Sequence, residues 1–440
     1  MDRRQFVRSV AYTSAGIAAA STYAPLFAAS GMPLKKVVLA VAGTNSRGHF
    51  LAEVFAGLPD VEVGYICDVD ETVLQKTVAA VEKISGKRPK AVKDFRKLLE
   101  IKEIDGVVIA MPDHWHAPAS LMAAAAGKQV YVEKPCCHNP AEGELLVQAA
   151  DTYKVLIQMG NQRRSFPKLQ EGMQALHGGI IGRVYFAKGW YTNKRGSIGR
   201  GKQTPIPAGL DFDLWQGPAP RRSFQDNLVH YNWHWFWHWG TGEALNNGTH
   251  EIDVIRWGLE VNFPVRVTSA GGRYRYQDDW ETPDTQIITQ EFPGEKGFTW
   301  EGRSCNNLPI EGSGRGVIFY GETGSMIYPG GDDFRFYDAD NNLLREFKSD
   351  LVVDAANPVS PTQQLDTLHL QNFVDAIRGK TRLNSPIAEA YISTALPHLG
   401  NIAQRTGQTL ICDPANGHIQ DAEAMKLWSR TYEPGWEMRL

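Results

Sequence analysis

Cysteine is scarce in this chain: there are five in 440 residues, Cys67, Cys136, Cys137, Cys305 and Cys412, and no two form a CxxC pair. Cys136 and Cys137 are neighbours, which suits an ordinary disulfide poorly, so a disulfide framework is not expected. Long runs of one charge are also missing. The net charge is −3 and no extended basic stretch follows the first residues, leaving no electrostatic footprint for nucleic acid or an anionic membrane. The twelve histidines include the pairs His114 and His116, and His234 and His238, but none sits in an HExxH setting and no metal is expected. Uninterrupted apolar runs of membrane-spanning length, internal repeats and low-complexity tracts are absent as well. With 42% hydrophobic and 22% charged residues the composition is that of a globular protein, and 440 residues give room for two full cores. Small molecules are the default partners.

The first thirty residues do not read as part of the fold. Arg3 and Arg4, in DRRQFVR, precede a modestly apolar stretch, Ser9 to Phe27, that is diluted by Ser, Thr, Gly and Pro25. Small residues at Ala28, Ala29 and Ser30 suit cleavage. The pattern predicts a twin-arginine signal over 1–30 and a periplasmic or otherwise exported protein; a membrane span is the rival reading. Twin-arginine export carries folded proteins, so a nucleotide can be loaded before crossing.

What is present is concentrated in KKVVLAVAGTNSRGHFLAEVFAGLPDVEVGYICDVD, Lys35 to Asp70. Val37 to Ala42 is a short unbroken apolar run, the mark of a strand buried on both faces of a parallel sheet. Gly43 ends it. The turn Gly43, Thr44, Asn45, Ser46, Arg47, Gly48 then opens a helix over His49 to Gly57, which aims backbone N–H groups at a pyrophosphate site. A second strand, Glu62 to Ile66, delivers Asp68 to the place where a ribose diol is bound. The middle glycine of GxGxxG is Asn45, so the motif rests on its strand–turn–helix setting; a doubly wound fold without nucleotide is the alternative. Asp68, Asp70 and Glu71, with no adjacent Arg or Lys, favour NAD over NADP, because they repel a 2′-phosphate.

Further strand ends add candidate site residues. MPDHWH follows a strand at Gly106 to Ala110 and places Pro112, Asp113, His114 and His116 beside the ligand crevice of a doubly wound sheet. His116 is read as a cofactor-side group, against a plain strand-to-helix turn. After a helix, Pro118 to Ala126, and a strand, Gln129 to Val132, come Glu133, Lys134 and Pro135. A lysine there, partly desolvated beside a nicotinamide, can exchange a proton with a carbinol; a surface ion pair with Glu133 is the other reading. A helix, Ala141 to Tyr153, and a strand, Val155 to Met159, close the sheet. GNQRRS then offers Arg163 and Arg164, fork-shaped groups suited to a polyhydroxylated ligand.

From Gly182 the pattern changes to β-branched and aromatic strands, Val184 to Thr192, Val265 to Ala270, Thr285 to Phe292 and Gly316 to Tyr320, without regular helical crossovers. The division expected is a nucleotide-binding domain over 31–160 and an α+β domain over 161–440. HYNWHWFWHW carries Trp233, Trp235, Trp237 and Trp239, which an extended segment would present on one side, for sugar stacking or for core packing. A helix over Asn246 to Gly258 puts Asn246 and His250 on one face. Two C-terminal helices, Thr362 to Arg378 and Pro386 to Gln404, are expected to pack back on both domains.

Taken together, EKP after the fourth strand, DFDLWQGPAP at Asp211 to Pro220, NNGTHEID at Asn246 to Asp253, HLQNFVDAIRG and LGNIAQRTG resemble the Gfo/Idh/MocA family of oxidoreductases across everything after the leader. The resemblance implies an α/β Rossmann domain with a doubly wound parallel sheet, plus an α+β domain with a large, open-faced, mainly antiparallel sheet. It further implies bound NAD or NADP, a sugar or cyclitol substrate, and oligomers packed through that sheet. Lys134 matches the lysine that contacts cofactor and substrate, and His250 matches the proton acceptor of the dehydrogenases. Cofactor contacts are thus expected from Gly43, Thr44, Asn45, Ser46, Arg47, Gly48, Asp68, Pro112, His116, Glu133 and Lys134. Substrate contacts are expected from Arg163, Arg164, Trp233, Asn246 and His250. The family's acid four residues before that histidine is Asn246 here, and an amide cannot relay a proton as a carboxylate does. Three functions follow: an exported sugar oxidoreductase with a tightly retained cofactor, an NAD-dependent glycosidase working by transient oxidation and elimination, or a nucleotide-bearing sugar-binding protein without turnover.

Overall fold

The computed structural model describes residues 35–351 and 362–440. The expected signal, Met1 to Ser30, lies outside the described residues. The chain runs β1 (Val37–Ala42), α1 (Arg47–Gly57), β2 (Val61–Cys67), α2 (Glu71–Ser85), β3 (Lys90–Val92), α3 (Phe95–Leu99), β4 (Gly106–Ile109), α4 (Asp113–Ala125), β5 (Gln129–Val132), α5 (Pro140–Tyr153) and β6 (Ile157–Met159). These strands form a six-stranded sheet in the order β3-β2-β1-β4-β5-β6, and its pairings are parallel. The order reverses between β1 and β4, which opens a crevice above their carboxyl ends.

Helix α4 begins at Asp113, five residues before the expected start at Pro118 (118 − 113), and carries Pro118 in its interior. An interior proline has no N–H for the carbonyl four residues back. Here that carbonyl, of His114, accepts instead from Arg430 Nη2 at 2.7 Å. Arg430 also pairs with the fully buried Glu142 of α5, and Trp436 packs edge-on against Trp115 at 5.1 Å between centroids. Distant sequence therefore completes the helix.

The second sheet follows α6 (Pro167–His177) and begins with β7 (Val184–Thr192). Three short helices come next: α7 (Phe212–Gln216), α8 (Glu243–Asn246) and α9 (Gly248–Leu259). The strands are β8 (Arg266–Gly272), β9 (Thr285–Phe292), β10 (Lys296–Arg303), β11 (Arg315–Gly321), β12 (Gly324–Tyr328), β13 (Phe334–Asp338) and β14 (Leu343–Phe347). Helices α10 (Gln363–Ile377) and α11 (Ile387–Thr406) precede β15 (Leu410–Ile411). The nine strands lie in the order β14-β13-β12-β11-β7-β10-β9-β8-β15, with only the β7–β10 pairing parallel among those described. Both expected sheets are present, and β3, β10, β12 to β14 and β15 are additions. Gly297 and Gly302 break the β-branched pattern of β10, which hid that strand from a periodicity reading.

Helix α9 lies close on this sheet because two glycines remove the obstruction. A Cβ at Gly248 would stand 2.7 Å from the Trp300 ring, and one at Gly189 would stand 2.9 Å from Ile255. Trp300 is fully buried, so the start of α9 is fixed against a rigid surface, and His250 with it. Helices α10 and α11 turn back across both sheets. Leu370, Phe373 and Val374 join the core under α1 and α2, Ile387 and Ala390 join that beneath α4 and α5, and Leu396 joins that of the second sheet. No helix of the described residues is long and apolar enough to cross a membrane.

Candidate active site

The turn after β1 is closed by sterics. Gly43 has φ +79° and an added Cβ would lie 2.5 Å from Met111 N, while a Cβ on Gly48 would lie 2.0 Å from Gly43 O. Thr44 is buried, whereas Asn45 and Ser46, where close approach to a ligand is needed, are exposed. Ser46 makes no capping hydrogen bond with its side chain, so the first N–H groups of α1 keep their donors for an anion. Asp68 is held at the end of β2. One carboxylate oxygen accepts from Thr44 N at 2.6 Å and Thr44 Oγ1 at 3.2 Å, and the other accepts from Asp70 N at 3.0 Å. Burial raises the Asp68 pKa against the pull of these donors. The glycine turn, the uncapped helix start and the anchored acid fit the pyrophosphate and ribose of a dinucleotide.

Beyond Asp68 the second domain folds over this end. Asp211 N donates to Val69 O at 3.0 Å, Glu71 N donates to Gly209 O at 3.2 Å, and His230 Nε2 lies 3.1 Å from Asp70 Oδ2. Between them is a cavity of about 180 Å³ lined by residues that include Asp70, Leu210, Phe224 and His230. A larger depression, of about 550 Å³, is lined by Tyr65, Lys90 and Glu103 at the β3 edge and holds none of the residues above.

At the other end of the crevice Lys134 follows β5. Its ammonium donates to the backbone carbonyl of Asn246 and, at 3.0 Å, to Asn246 Oδ1. Burial lowers the Lys134 pKa, while the carboxylates of Glu133 and Asp113 oppose that. The Asn246 amide leans on Glu243 Oε1 at 3.4 Å, and the buried Glu243 is held by Arg195 at 2.7 Å and Ser304 at 2.9 Å. Burial alone would raise the Glu243 pKa; Arg195 more than reverses it. His250, in the first turn of α9, has a buried Nδ1 without a hydrogen-bond partner among the described residues. Burial, then the charges of Arg163, Arg315 and Lys134, keep its pKa well below the usual histidine range. The single helix expected over Asn246 to Gly258 is broken at Asn247, so the lysine's anchor ends α8 and His250 opens α9; a neutral imidazole placed there is arranged to accept a proton.

Residues 37–161 match the Gfo/Idh/MocA model described as an oxidoreductase family, NAD-binding Rossmann fold, and residues 186–279 match the family's C-terminal alpha/beta domain. The chain belongs to the Gfo/Idh/MocA oxidoreductase family. One relative, the rhizopine catabolism protein MocA of Rhizobium meliloti, is 24% identical over 269 residues, covering 60% of this chain and 71% of that protein. A glycosyl hydrolase family 109 protein of Shewanella putrefaciens is 27% identical over 212 residues, and the match spans 44% of this chain and 46% of that relative. Levoglucosan dehydrogenase, solved in complex with NADH and levoglucosan, shares the fold with a TM-score of 0.65 at 17% identity, covering 86% of this chain and 99% of its own.

In this Gfo/Idh/MocA protein several expected contacts are turned elsewhere. Arg47 is aimed at Glu133 at 2.8 Å and Asp366 at 2.9 Å, so it ties α1 to β5 and α10. Glu133 is that buried partner: burial raises its pKa, but Arg47 and Lys134 bring it below the usual range. The surface pair of Glu133 with Lys134 does not form, because Arg47 takes the carboxylate and Asn246 takes the ammonium. Pro112 sits at the N-cap of α4, where its carbonyl accepts from Trp115 N at 2.8 Å. The His116 ring is buried with Nδ1 and Nε2 each 2.6 Å from a carbonyl oxygen, of Pro135 and Met111, so it braces the crevice and has no nitrogen left for a ligand.

Arg164 is a correction too. Its two nitrogens grip Asp253 at 2.8 Å each, and its guanidinium stacks over Trp257, so its fork is spent inside the protein. Trp233 is 8% exposed and belongs to the cluster of Phe212, Trp215 and Trp239, while Trp235 stacks on Trp280 at 3.9 Å. The tryptophans do not line one side of an extended segment, because residues 232–235 turn into a 3-10 helix. Among the described residues no group of three or more His, Cys, Asp or Glu could hold a metal ion. Sequence reasoning missed Glu243, Arg195 and Arg315. Glu243 lies three residues before Asn246, a helical spacing that would have found it, but nothing local marks the two arginines.

Proposed function

We propose that this protein oxidises a ring carbinol of a carbohydrate with a tightly held NAD, and that turnover returns the hydride so that net redox is zero. NAD, when bound, supplies the hydride acceptor. Lys134, its ammonium steered by Asn246, holds the carbinol oxygen, and neutral His250 takes the hydroxyl proton. Gly43, Thr44, Asn45, Ser46 and Gly48 would seat the pyrophosphate, and Asp68 the ribose. The observation that carries this reading is the desolvated Lys134 tethered to Asn246 on the segment that presents His250. Retention of the cofactor is supported by the second-domain segment, Gly209 to His230, packed over the Asp70 end.

The test is to give purified protein a panel of sugars and glycosides, with and without added NAD, while following NADH absorbance and products. Aglycone release without net NADH is the expected result for the glycosidase form of this chemistry. That form is favoured over simple dehydrogenation by Asn246, which cannot relay a proton, and by the family 109 relatives. NADH accumulating in proportion to added NAD would rule out the redox-neutral cycle. Sugar binding without either signal would leave a binding protein.

The cofactor should be NAD(H): Asp68, with Asp70 and Glu71 beside it, disfavours a 2′-phosphate. Nucleotide released by denaturing the purified protein and resolved by chromatography checks this, and mostly NADP(H) would remove Asp68 from its role. Export through the twin-arginine route is proposed from Arg3 and Arg4. Changing both to Lys should leave folded protein in the cytoplasm, and normal periplasmic yield of that variant would overturn the proposal. Self-association through the nine-stranded sheet is likewise proposed, supported by the exposed Tyr185 and Ile287 on its strands.

A further inference from the structure

Three charged groups near His250 neither give nor take the carbinol proton: Arg163, Glu251 and Arg315. Glu251 follows His250 on α9 and is 1% exposed. Its Oε1 lies 3.0 Å from Arg315 Nε, 2.9 Å from Arg315 Nη2 and 3.9 Å from Arg163 Nη2. Its Oε2 is buried without a hydrogen-bond partner among the described residues. Two guanidinium groups thus face a single carboxylate oxygen, Arg163 from beyond hydrogen-bond distance, which leaves one positive charge in excess within this triad; the further acid Asp366 acts on Arg163 through its charge.

Arg163 is only 8% exposed, yet its one hydrogen bond among the described residues runs from Nε to Tyr328 Oη at 3.1 Å. Its terminal nitrogens have no acceptor there. The contrast with its neighbour is informative. Arg164, built into the interior as a brace, has both donor nitrogens 2.8 Å from Asp253. An arginine kept only for packing is matched in this way, because a buried cation without an acceptor is costly. Burial lowers the Arg163 pKa and the like charge of Arg315 adds to that, so the surroundings do not compensate it. Arg315 has a side chain 28% exposed, which leaves a route to the pair from outside.

We infer that the substrate is an anionic sugar, whose carboxylate or sulfate group is received by Arg163 and Arg315 beside His250. Planar guanidinium forks match both anions, and a ligand charge there would complete the unbalanced pair. The inference rests on the reading of this crevice as a carbohydrate oxidoreductase site and narrows its substrate class. A neutral sugar would leave the excess charge buried without an acceptor.

The experiment is calorimetric titration of the protein as purified, carrying its nucleotide, with methyl glucoside, methyl glucuronide and methyl glucoside 6-sulfate of one anomer, and with the matching galactosides. At least one anionic sugar should bind about tenfold or more tightly than its neutral counterpart, and Arg163→Gln and Arg315→Gln should each weaken the anion by about ten- to a hundredfold. The neutral sugar should lose at least about tenfold less than the anion, and whichever anion binds more tightly identifies the group. Arg163→Lys, which keeps the charge and loses the fork, provides the comparison if a Gln variant fails to fold. Equal or tighter binding of the neutral sugars, or equal loss for both kinds in the variants, overturns the inference. Arginine-dependent binding of an anionic sugar with no change in nicotinamide absorbance would support the anion site and refute the oxidoreductase reading. Cofactor reduction by neutral sugars alone would do the reverse.

Discussion

Lys134→Ala should yield a folded protein that still carries its nucleotide and turns over at least about a hundredfold more slowly, the usual loss for a positioned acid–base group. The reasoning depends on where the ammonium is tied. It is held at the end of β5 by two oxygens of Asn246, so it is both desolvated and aimed, and a water in its place has neither property. Asn246→Ala should produce a smaller loss in rate, since the lysine stays but its direction is freed. Single-turnover reduction of the bound nicotinamide, read by absorbance, separates this from slow product release. Full activity of Lys134→Ala would mean that the active site has been placed wrongly.

Acid should destabilise this protein by about pH 5, before most carboxylates are titrated. His369 and His398 are buried and their pKa values are pushed down to about 4 by burial. In the unfolded chain they titrate near their ordinary value of about 6.5. Below that pH the unfolded state binds protons that the native state refuses, so stability is present above about 6.5 and is lost as pH falls. Each histidine accounts for about 2 kcal/mol by pH 5. His114, His138 and His250, all held well below their usual range by burial, push the same way. Asp332 opposes them: burial raises it to about 6, so the native state takes up its proton first and recovers roughly 1 kcal/mol. The loss from His369, His398 and Asp332 alone, about 3 kcal/mol, is a large share of the usual 5–15 kcal/mol of a folded domain. Urea denaturation followed by circular dichroism at pH 7.5 and pH 5 measures it, and equal midpoints would show that these rings are charged in the native state.

The Rossmann half was legible because its strands are continuous apolar runs and its turn chemistry is local. Val37–Ala42 and Gln129–Val132 fall where the sequence places them, as does the Gly43 turn. The errors arose where long-range contacts override local rules. Pro118 reads as a helix start, yet α4 runs through it because Arg430 takes the freed carbonyl. Arg163 and Arg164 look equivalent in sequence, and only Asp253, on another helix, distinguishes them. Trp233 alternates with other aromatics as a strand would, but packing against Phe212 and Trp215 favours a turn. Arg315 reaches Glu251 from a strand of the second sheet, and no spacing along the chain encodes that meeting.

The latch on His114 also sets the order of events during synthesis. The N-terminal domain leaves the ribosome first, but the α4 carbonyl and buried Glu142 wait for Arg430, and Arg47 waits for Asp366. Until those residues emerge, Arg47 at the phosphate turn has Glu133 as its only acidic partner of the two, and the helix on the crevice's flank is open. Nascent chains stalled before Arg430 should therefore be protease-sensitive in α4 and poor at retaining nucleotide, while full-length chains should be resistant. On this reading, cofactor loading would wait until nearly the whole polypeptide has been made.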